Sequence, residues 1–211
     1  MFQLIDPEAW ARREYFQHYF HEVPCFYSMT VKLDITRLRQ SGERLYPALL
    51  YLLSTLVNRH EEFRMALDGQ GRLGVYDQMH PSYTVFHPDS ETFSNLWTEY
   101  RPAYPEFRAA FEADMAAYGQ RPGFLGKPNP PSNAFPVSML PWTAFEGFNL
   151  NLPRGEGYLQ PIFTLGKYTP SNGRLFLPLA AQVHHAVCDG YHVCRLVNEL
   201  QELLSAWGHP S

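Results

Sequence analysis

The amino-acid sequence predicts an α/β fold built on one mostly contiguous β-sheet. Two observations lead to this prediction. Helical and strand-like patterns alternate along the chain, and its last third holds a series of short strand-like segments followed by one amphipathic helix. Hydrophobic residues make up 45% of the 211 residues and charged residues 18%, which supplies a large core and argues against disorder. Because no repeat or low-complexity linker divides the sequence, we expect residues 1–211 to form a single domain.

The first half of the chain is predicted to begin with a helix and a strand. Asp6 is a typical N-cap and Pro7 is favoured at the first helical position, while Pro24 prevents a helix from continuing. The strand alternates in polarity, and the helix after it is apolar on nearly all sides at its start, so it should be buried. The predicted elements are a helix from residue 6 to about 21, a strand over 25–35, a turn over 34–36, a helix over 46–67 and a hairpin around 69–74.

The second half is predicted to alternate strands with one amphipathic helix before the closing helix. Residues 120–136 are rich in Pro, Gly and Asn and fit no regular element. A loop of that length inside a compact domain is more often functional than idle. The predicted elements are a strand over 81–88, a helix over 103–118, strands near 136–140, 145–152, 159–168 and 174–184, and a helix over about 189–206.

Charge and composition exclude several classes of partner. The net charge is −4 and no basic run is present, so we expect no nucleic-acid partner. No stretch approaches the ~20 apolar residues that a membrane helix needs, and the N-terminal residues lack the pattern of a signal peptide. Cys25, Cys188 and Cys194 have no Cys-x-x-Cys spacing, which is typical of reduced thiols in a cytoplasmic protein.

The strongest chemical signal is the segment QVHHAVCDGYHV, residues 182–193, where a strand ends and a helix begins. An imidazole titrates near ~6.5, so at neutral pH it can accept a proton from a hydroxyl or a thiol. Adjacent strand residues point to opposite faces, so His184 and His185 cannot both enter one site. His185 is the candidate general base, and packing in a core is the alternative role for either ring.

Asp189 lies four residues after His185 and leaves two interpretations open. It could orient the imidazole in a His–Asp dyad, or it could form a buried ion pair with a distant arginine that holds the turn. A zinc site that combines the two histidines with Cys188, His192 and Cys194 has no standard ligand spacing, so we expect no metal.

The segment 182–193 resembles the active-site signature of the chloramphenicol acetyltransferases. Its His-x-x-x-Asp-Gly core is also shared with the acyltransferase domains of 2-oxo-acid dehydrogenase complexes. Further segments resemble the same family in the same order, so the resemblance covers nearly the whole chain. They are WARREYFQHYF, PCFYSMT, YTVFH with ETFS, LPWTAFEGFNLN and PIFTLGKY.

This resemblance implies a coenzyme-A-dependent acyltransferase fold, an α+β two-layer sandwich in which helices cover a mixed β-sheet. It also implies a homotrimer with active sites between subunits, chloramphenicol as acceptor, acetyl-CoA as co-substrate and no permanently bound cofactor. The base would be His185, and Asp189 would pair with Arg12 rather than with the catalytic ring. Ser138 would hydrogen-bond the oxyanion. No acyl-enzyme is expected, because Ser138 is not in a G-x-S-x-G elbow.

The resemblance also assigns the two substrate sites. Aromatic rings and hydroxyls would line the antibiotic pocket, and two rings with one cation would bind coenzyme A. The matching antibiotic positions are Tyr19, Phe20, Cys25, Tyr27, Thr84, Tyr158 and Thr164, and the matching coenzyme A positions are Trp142, Lys167 and Tyr168. Pro136 departs from the family pattern, since members commonly carry a polar residue two places before the serine. Either Phe124 or Leu125 would supply an apolar lid contact.

Two other functions compete with acetylation of chloramphenicol. One is an acyltransferase of the same fold that acts on another hydroxyl or thiol, such as a dihydrolipoyl group, although we find no lipoyl-bearing segment in the sequence. The other is a protein that sequesters an apolar drug without chemistry. The joint presence of His185 and Ser138 argues against mere binding, which needs no base.

Overall fold

The structure is a computed structural model that describes residues 1–152 and 157–208. A π-helical turn over Gln17–Glu22 continues the first helix, and a 3-10 turn covers Glu61–Phe63. Within the described residues no helix combines the length and the apolar character that a bilayer crossing requires. The α-helices in the described part of the chain are α1 Arg13–Phe16, α2 Thr36–Gln40, α3 Leu45–Arg59, α4 Tyr104–Tyr118 and α5 Gly190–Ala206.

The strands form one large mixed sheet and one small antiparallel sheet. The strands are β1 Phe2–Leu4, β2 Phe26–Asp34, β3 Met65–Leu67, β4 Leu73–Tyr76, β5 His80–His87, β6 Thr92–Trp97, β7 Ala134–Leu140, β8 Ile162–Gly166, β9 Thr169–Ser171 and β10 Arg174–His184. The large sheet has the order β2-β10-β8-β7-β5-β6, with β9 paired to β10. Only the β5–β7 and β7–β8 pairs are parallel, so the sheet is mixed as expected. The small sheet has the order β1-β4-β3.

Helices cover one face of the large sheet, which confirms the predicted fold class. Val137 on β7 pairs with Phe163 on β8, and Leu179 lies on the next strand, β10, with its side chain on the same face. All three side chains are fully buried. Helix α3 packs against β5 and lies between α4 and α5, so Leu49 and Leu53 have no exposed surface. This burial explains why α3 is apolar on nearly all sides.

The structure corrects several element predictions. The first helix begins at Arg13 rather than Asp6, because the Asp6 carboxylate accepts the Glu8 N–H and closes only a turn. The predicted helix over 46–67 ends at Arg59, and its last residues form β3 instead. The mostly contiguous sheet is accompanied by the small sheet, in which β3 pairs with β4.

The predicted strand over 145–152 is absent from the strands of the described residues. Its backbone donors bind side chains on the open face of the large sheet instead of another strand. The Phe148 N–H donates to Thr30 Oγ1 at 3.4 Å, and the Leu150 N–H donates to Gln182 Oε1 at 2.7 Å. The alternating apolar residues here therefore indicate contact with a sheet face rather than membership of a sheet.

Candidate active site

The two adjacent histidines lie in different environments, because His184 is the last residue of β10 and His185 begins the turn after it. His184 ends β10 and is fully buried, with its ring 4.5 Å from the Phe26 ring and 5.7 Å from the Phe20 ring. Its Nδ1 accepts the Ala186 N–H at 3.1 Å. His184 is therefore engaged in packing and in the turn, and it does not share the position of His185.

His185 is held firmly but remains accessible. Its backbone N–H donates to the Cys25 carbonyl at 3.0 Å. Its ring stacks on Tyr19 with centroids 3.9 Å apart and an interplanar angle of 4°, and the Tyr27 ring meets it edge-on at 5.4 Å. The side chain keeps 30% of its surface exposed. This arrangement suits a base whose orientation must be fixed before the substrate binds.

Asp189 makes the ion pair that the resemblance implied. Arg12 donates from Nη1 to Oδ2 at 2.6 Å and from Nη2 to Oδ1 at 2.9 Å. This bidentate contact lowers the pKa of the Asp189 carboxyl and raises the pKa of the Arg12 guanidinium. His185 Nδ1 lies 3.4 Å from Oδ1 and makes no hydrogen bond in the described structure. The geometry favours the ion pair over the dyad, with an ionised carboxylate beside the imidazole.

His192 holds the backbone of Asp189, a role that the sequence analysis missed. The Asp189 N–H donates to His192 Nδ1 at 2.9 Å, across the first turn of α5. Desolvation lowers the pKa of His192, which keeps Nδ1 free to accept. The signal in the sequence was the N-cap spacing, because residue N3 often returns a hydrogen bond to the N-cap N–H.

The remaining members of the hypothetical zinc cluster are dispersed. All three cysteines are free, and Cys188 is buried while Cys194 is exposed. The Tyr27 hydroxyl donates to the Cys188 carbonyl at 3.3 Å, and burial raises the pKa of the Cys188 thiol. Over residues 1–152 and 157–208, no group of three or more His, Cys, Asp or Glu side chains is arranged to hold a metal.

Ser138 lies on the sheet face that the helices leave open, in a row of small hydroxyl side chains. Ser138 pairs with Thr164 on β8. On the other side of β7, Tyr83 of β5 pairs with Val137, and Thr84 is the next residue along β5. Ser138 and Thr84 line a cleft of about 360 Å³. Aromatic and apolar side chains form the rest of its wall, namely Tyr46, Val85, Phe86, Phe93, Met115, Met139, Leu140, Pro141 and Trp142.

Pro136 brings no hydrogen-bonding side chain to this face. It lies two residues before Ser138 on β7, so the two side chains project to the same side. The Tyr46 hydroxyl supplies a donor below them, 3.3 Å from the Val137 carbonyl and 3.4 Å from the Thr84 carbonyl. The polar character at this point of the cleft therefore comes from Ser138, Thr84 and Tyr46.

The candidate coenzyme A residues lie where β7 and β8 end, at the Leu140–Gly166 pair. The Trp142 ring is 58% exposed and meets Phe86 edge-on at 4.7 Å. Lys167 is exposed, and its backbone N–H donates to the Thr143 carbonyl at 2.9 Å. Tyr168 lies 5.5 Å below the Arg39 guanidinium.

The other antibiotic-site candidates lie around a second cleft and around His185. Tyr27 lines an open cleft of about 580 Å³ together with Leu150 and Gln182. Tyr158 is half-buried, and desolvation raises its pKa to about 12. The Phe20 ring stacks on Phe16 at 4.8 Å and lies 5.7 Å from His184, and His185 is not among its ring contacts in the described residues.

One chain does not bring Ser138 and His185 together. Ser138 is level with Thr164 and, through it, with Ala180 on β10. His184 lies four residues beyond Ala180 on β10. With a rise of about 3.3 Å per residue and a spacing of about 4.8 Å between strands, the backbone positions of Ser138 and His184 are about 16 Å apart. Among the described residues that line the Ser138 cleft, His185 does not occur.

Solved structures define the class of protein through its fold. The chain superposes on a chloramphenicol acetyltransferase with a TM-score of 0.85 and 22% identity, covering 97% of this chain and 100% of that chain. It also superposes on the dihydrolipoamide acetyltransferase of Azotobacter vinelandii with a TM-score of 0.62 and 22% identity, covering 86% and 82%. These likenesses show the acyltransferase fold that the two kinds of protein share.

Sequence relatives narrow this class to one family. The family model described as chloramphenicol acetyltransferase matches residues 1–201. A chloramphenicol acetyltransferase from Vibrio anguillarum is 58% identical over 97% of this chain and 95% of that protein. One from Campylobacter coli is also 58% identical, over 97% and 99%. The chain belongs to the chloramphenicol acetyltransferase family.

We expect Arg12→Ala to destabilise the fold, because it leaves the Asp189 carboxylate half-buried without its cation. Breaking a fully buried pair costs ~3–5 kcal/mol. Here the Arg12 and Asp189 side chains are 19% and 32% exposed, so the loss should fall below that range. Chemical denaturation measures the free energy of unfolding. Arg13→Ala is the matched control, since Arg13 pairs with Glu8 at the surface, and equal losses in the two variants would contradict the prediction.

We expect stability to fall as the pH is lowered through about 6.5, because His192 must be neutral to accept the Asp189 N–H. Its pKa in the folded protein lies below the ordinary value of 6.5, so the unfolded chain takes up the proton first. The charges of Glu62 and Asp189 raise the His192 pKa and oppose this effect, while those of Arg12 and Arg195 lower it further. The measurement is the melting temperature between about pH 7.5 and 5.5.

His192→Asn should make this pH dependence shallower, since asparagine offers an acceptor near the position of Nδ1 without titrating. His80 has its pKa lowered by burial too, so some dependence should remain. His18→Asn is the control, because His18 is half-exposed beside Glu22. The assignment to His192 fails if its variant shows the same slope as the wild type.

Proposed function

We propose that the chain transfers the acetyl group of acetyl-CoA to a hydroxyl of chloramphenicol and thereby inactivates the antibiotic. The observation that carries this proposal is the family match over residues 1–201, with His185 set in the family's motif. The chloramphenicol acetyltransferases that are 58% identical cover nearly the whole chain, which supports the same substrates here.

His185 acts as the general base in the proposed reaction. Its Nδ1 is buried beside Asp189, so Nε2 is the nitrogen left to take the proton of the acceptor hydroxyl. The hydroxyl oxygen attacks the thioester carbon, and the carbonyl oxygen becomes an oxyanion. Collapse of the tetrahedral intermediate expels the coenzyme A thiolate, which recovers the proton from the imidazolium.

Ser138 stabilises the oxyanion by donating from its hydroxyl. Charge that develops in a water-poor pocket is costly without a donor aimed at it, and removing one such donor typically costs about 10²–10³ in kcat. The acetyl group passes directly between the two bound substrates, so no acyl-enzyme forms. Pro136 offers no further donor beside Ser138, which leaves the serine as the principal group for this task.

Two subunits complete each active site in the proposed enzyme, which is a homotrimer. His185 of one subunit faces the Ser138 cleft of its neighbour, since the two residues lie far apart in one chain. Three aromatic rings at that cleft support an interface or ligand surface, because Phe86, Phe93 and Trp142 are 41%, 48% and 58% exposed.

The substrate residues follow the two sides of this shared site. Acceptor contacts come from Tyr19, Phe20, Cys25, Tyr27, Thr84, Tyr158 and Thr164, and coenzyme A contacts come from Trp142, Lys167 and Tyr168. Residues 1–211 act as one catalytic domain with no permanently bound cofactor. The free cysteines are in keeping with a location in the cytoplasm.

Purified protein mixed with acetyl-CoA and chloramphenicol should release thiol at a rate that depends on the antibiotic. A colorimetric thiol reagent follows the reaction. Dihydrolipoamide as the acceptor distinguishes the competing acyltransferase function. Transfer to a thiol releases no net thiol, so this arm is followed by chromatographic separation of acetyl-CoA from coenzyme A. Consumption of acetyl-CoA with dihydrolipoamide but not with chloramphenicol, or equally without any acceptor, would overturn the proposal.

His185→Ala should lower turnover by about 10²–10⁴-fold, the usual worth of a positioned acid or base. His184→Ala is the matched control, because it removes the neighbouring imidazole from a buried site without removing the base. The His184 variant should keep partial activity in whatever fraction folds, which circular dichroism reports. Equal losses of activity per folded molecule would refute the assignment.

Mixed oligomers test whether the site is shared. His185→Ala and Ser138→Ala subunits with different affinity tags are co-expressed, and oligomers that carry both tags are isolated. Each mixed trimer regains one site in which both residues are intact, so activity should reach about one third of the wild type. Activity no higher than in either single variant would place both residues in one chain. Light scattering checks the trimer itself.

A further inference from the structure

The Pro-rich segment that follows α4 is fastened by a nearly buried lysine. Lys127 Nζ donates to Asp114 Oδ1 at 2.7 Å and to the Trp97 carbonyl at 3.0 Å. It also lies 3.7 Å from the centroid of the Trp97 ring, which is a close cation–π contact. The Lys127 and Asp114 side chains are only 13% and 15% exposed. Such a pair is expensive to bury unless every partner is in place.

The lysine joins a chain of hydrogen bonds that runs to strand β5, the neighbour of β6 in the large sheet. The second oxygen of Asp114, Oδ2, accepts the Thr98 hydroxyl at 2.8 Å. Thr98 Oγ1 lies 2.8 Å from the hydroxyl of Tyr83, and both residues are fully buried. Tyr83 precedes Thr84, which lines the Ser138 cleft. The segment is therefore tied, through α4 and β6, to the strand that carries part of the candidate site.

Backbone contacts lay the same segment along β6. The Ser94 hydroxyl donates to the Arg121 carbonyl at 2.6 Å, and the Asn95 N–H donates to the Phe124 carbonyl at 2.7 Å. Gly126 packs directly on β6, because a Cβ there would lie 2.8 Å from a Leu96 methyl carbon. The segment thus has a defined place beside the strand although it contains no regular element between residues 119 and 133.

These contacts hold two large apolar side chains at the rim of the cleft that contains Ser138. Phe124 and Leu125 are 64% and 56% exposed. The Phe124 ring meets the Phe93 ring edge-on, with centroids 6.0 Å apart, and Phe93 lines the cleft that contains Ser138. Exposed apolar side chains beside a cleft are typical of ligand or partner contacts.

We propose that Lys127 and Asp114 are positioning residues for the acceptor. Their ion pair holds the 121–128 segment on β6 so that Phe124 and Leu125 form a fixed apolar wall of the acceptor site. This proposal rests on the proposed function, and it adds a determinant of acceptor affinity that does not touch either substrate. Because the pair acts through the wall, it affects acceptor binding and leaves the acetyl-CoA side and the chemical step unaffected.

Lys127→Met tests this proposal, since methionine keeps an unbranched apolar side chain and removes the charge. We expect the KM for chloramphenicol to rise about tenfold, which is the loss of affinity expected when one ordered apolar contact is removed. The kcat and the KM for acetyl-CoA should stay within about twofold. Lys32→Met is the matched control, because Lys32 forms an exposed pair with Glu146. A drop in kcat equal to the rise in KM would overturn the positioning role.

A double-mutant comparison shows whether the lysine acts through the wall. Phe124→Ala should raise the KM for chloramphenicol by itself, and Lys127→Met should add little in that background. Fully additive effects would show that Lys127 influences acceptor binding by another route, and they would overturn the proposal. Asp114→Asn provides a milder second variant if Lys127→Met folds poorly, because the amide oxygen still accepts from Lys127.

Hydrogen exchange supplies a readout that needs no turnover, so a failure of the proposed function cannot be mistaken for a failure of this proposal. The Asn95 amide is bonded to the Phe124 carbonyl, and it should exchange faster in Lys127→Met and in Asp114→Asn than in the wild type. Amides of α3 should not change. Unchanged exchange at Asn95 would show that the segment stays in place without the ion pair.

Discussion

The Arg12–Asp189 ion pair is the contact on which the geometry of the candidate base depends. It joins two residues that are 177 positions apart in sequence. The segment just after Arg12 contains no fully buried residue, although the partly buried rings of Phe16 and Phe20 pack against the core. This segment carries Tyr19, on which the His185 ring stacks. The ion pair therefore anchors the start of the segment that positions the imidazole.

The other histidines near the site are removed from chemistry by their hydrogen bonds. His184 and His192 each accept a backbone N–H at Nδ1, as His80 does further away. Each of these Nδ1 atoms is therefore engaged by the backbone rather than available to a substrate. His185 differs because its Nδ1 faces an ionised carboxylate and its backbone, not its ring, makes the hydrogen bond to Cys25. Of the two adjacent histidines, His185 is the one whose Nδ1 accepts no backbone N–H.

The sequence predicted those features that depend on local periodicity or on a family motif. The strand β10, the helices α3, α4 and α5, and the turn that carries His185 were all expected. Short pairings such as β1 with β4 leave too few residues for a pattern to be visible. The partnership of Arg12 with Asp189 came from the resemblance, since a contact between distant residues leaves no local signal. The Lys127–Asp114 pair left none for the same reason, as it joins a loop to a helix.

The open face of the large sheet is chemically suited to ligands rather than to a second layer of helices. A sheet that packs on helices on both faces would carry large apolar side chains on both. Here the open face carries small hydroxyl and amide groups, such as Thr30, Ser138, Thr164 and Gln182, all paired through neighbouring strands. Small polar groups leave room for a substrate and can bind its oxygens, so the fold supplies the floor of the site and the loops supply its walls.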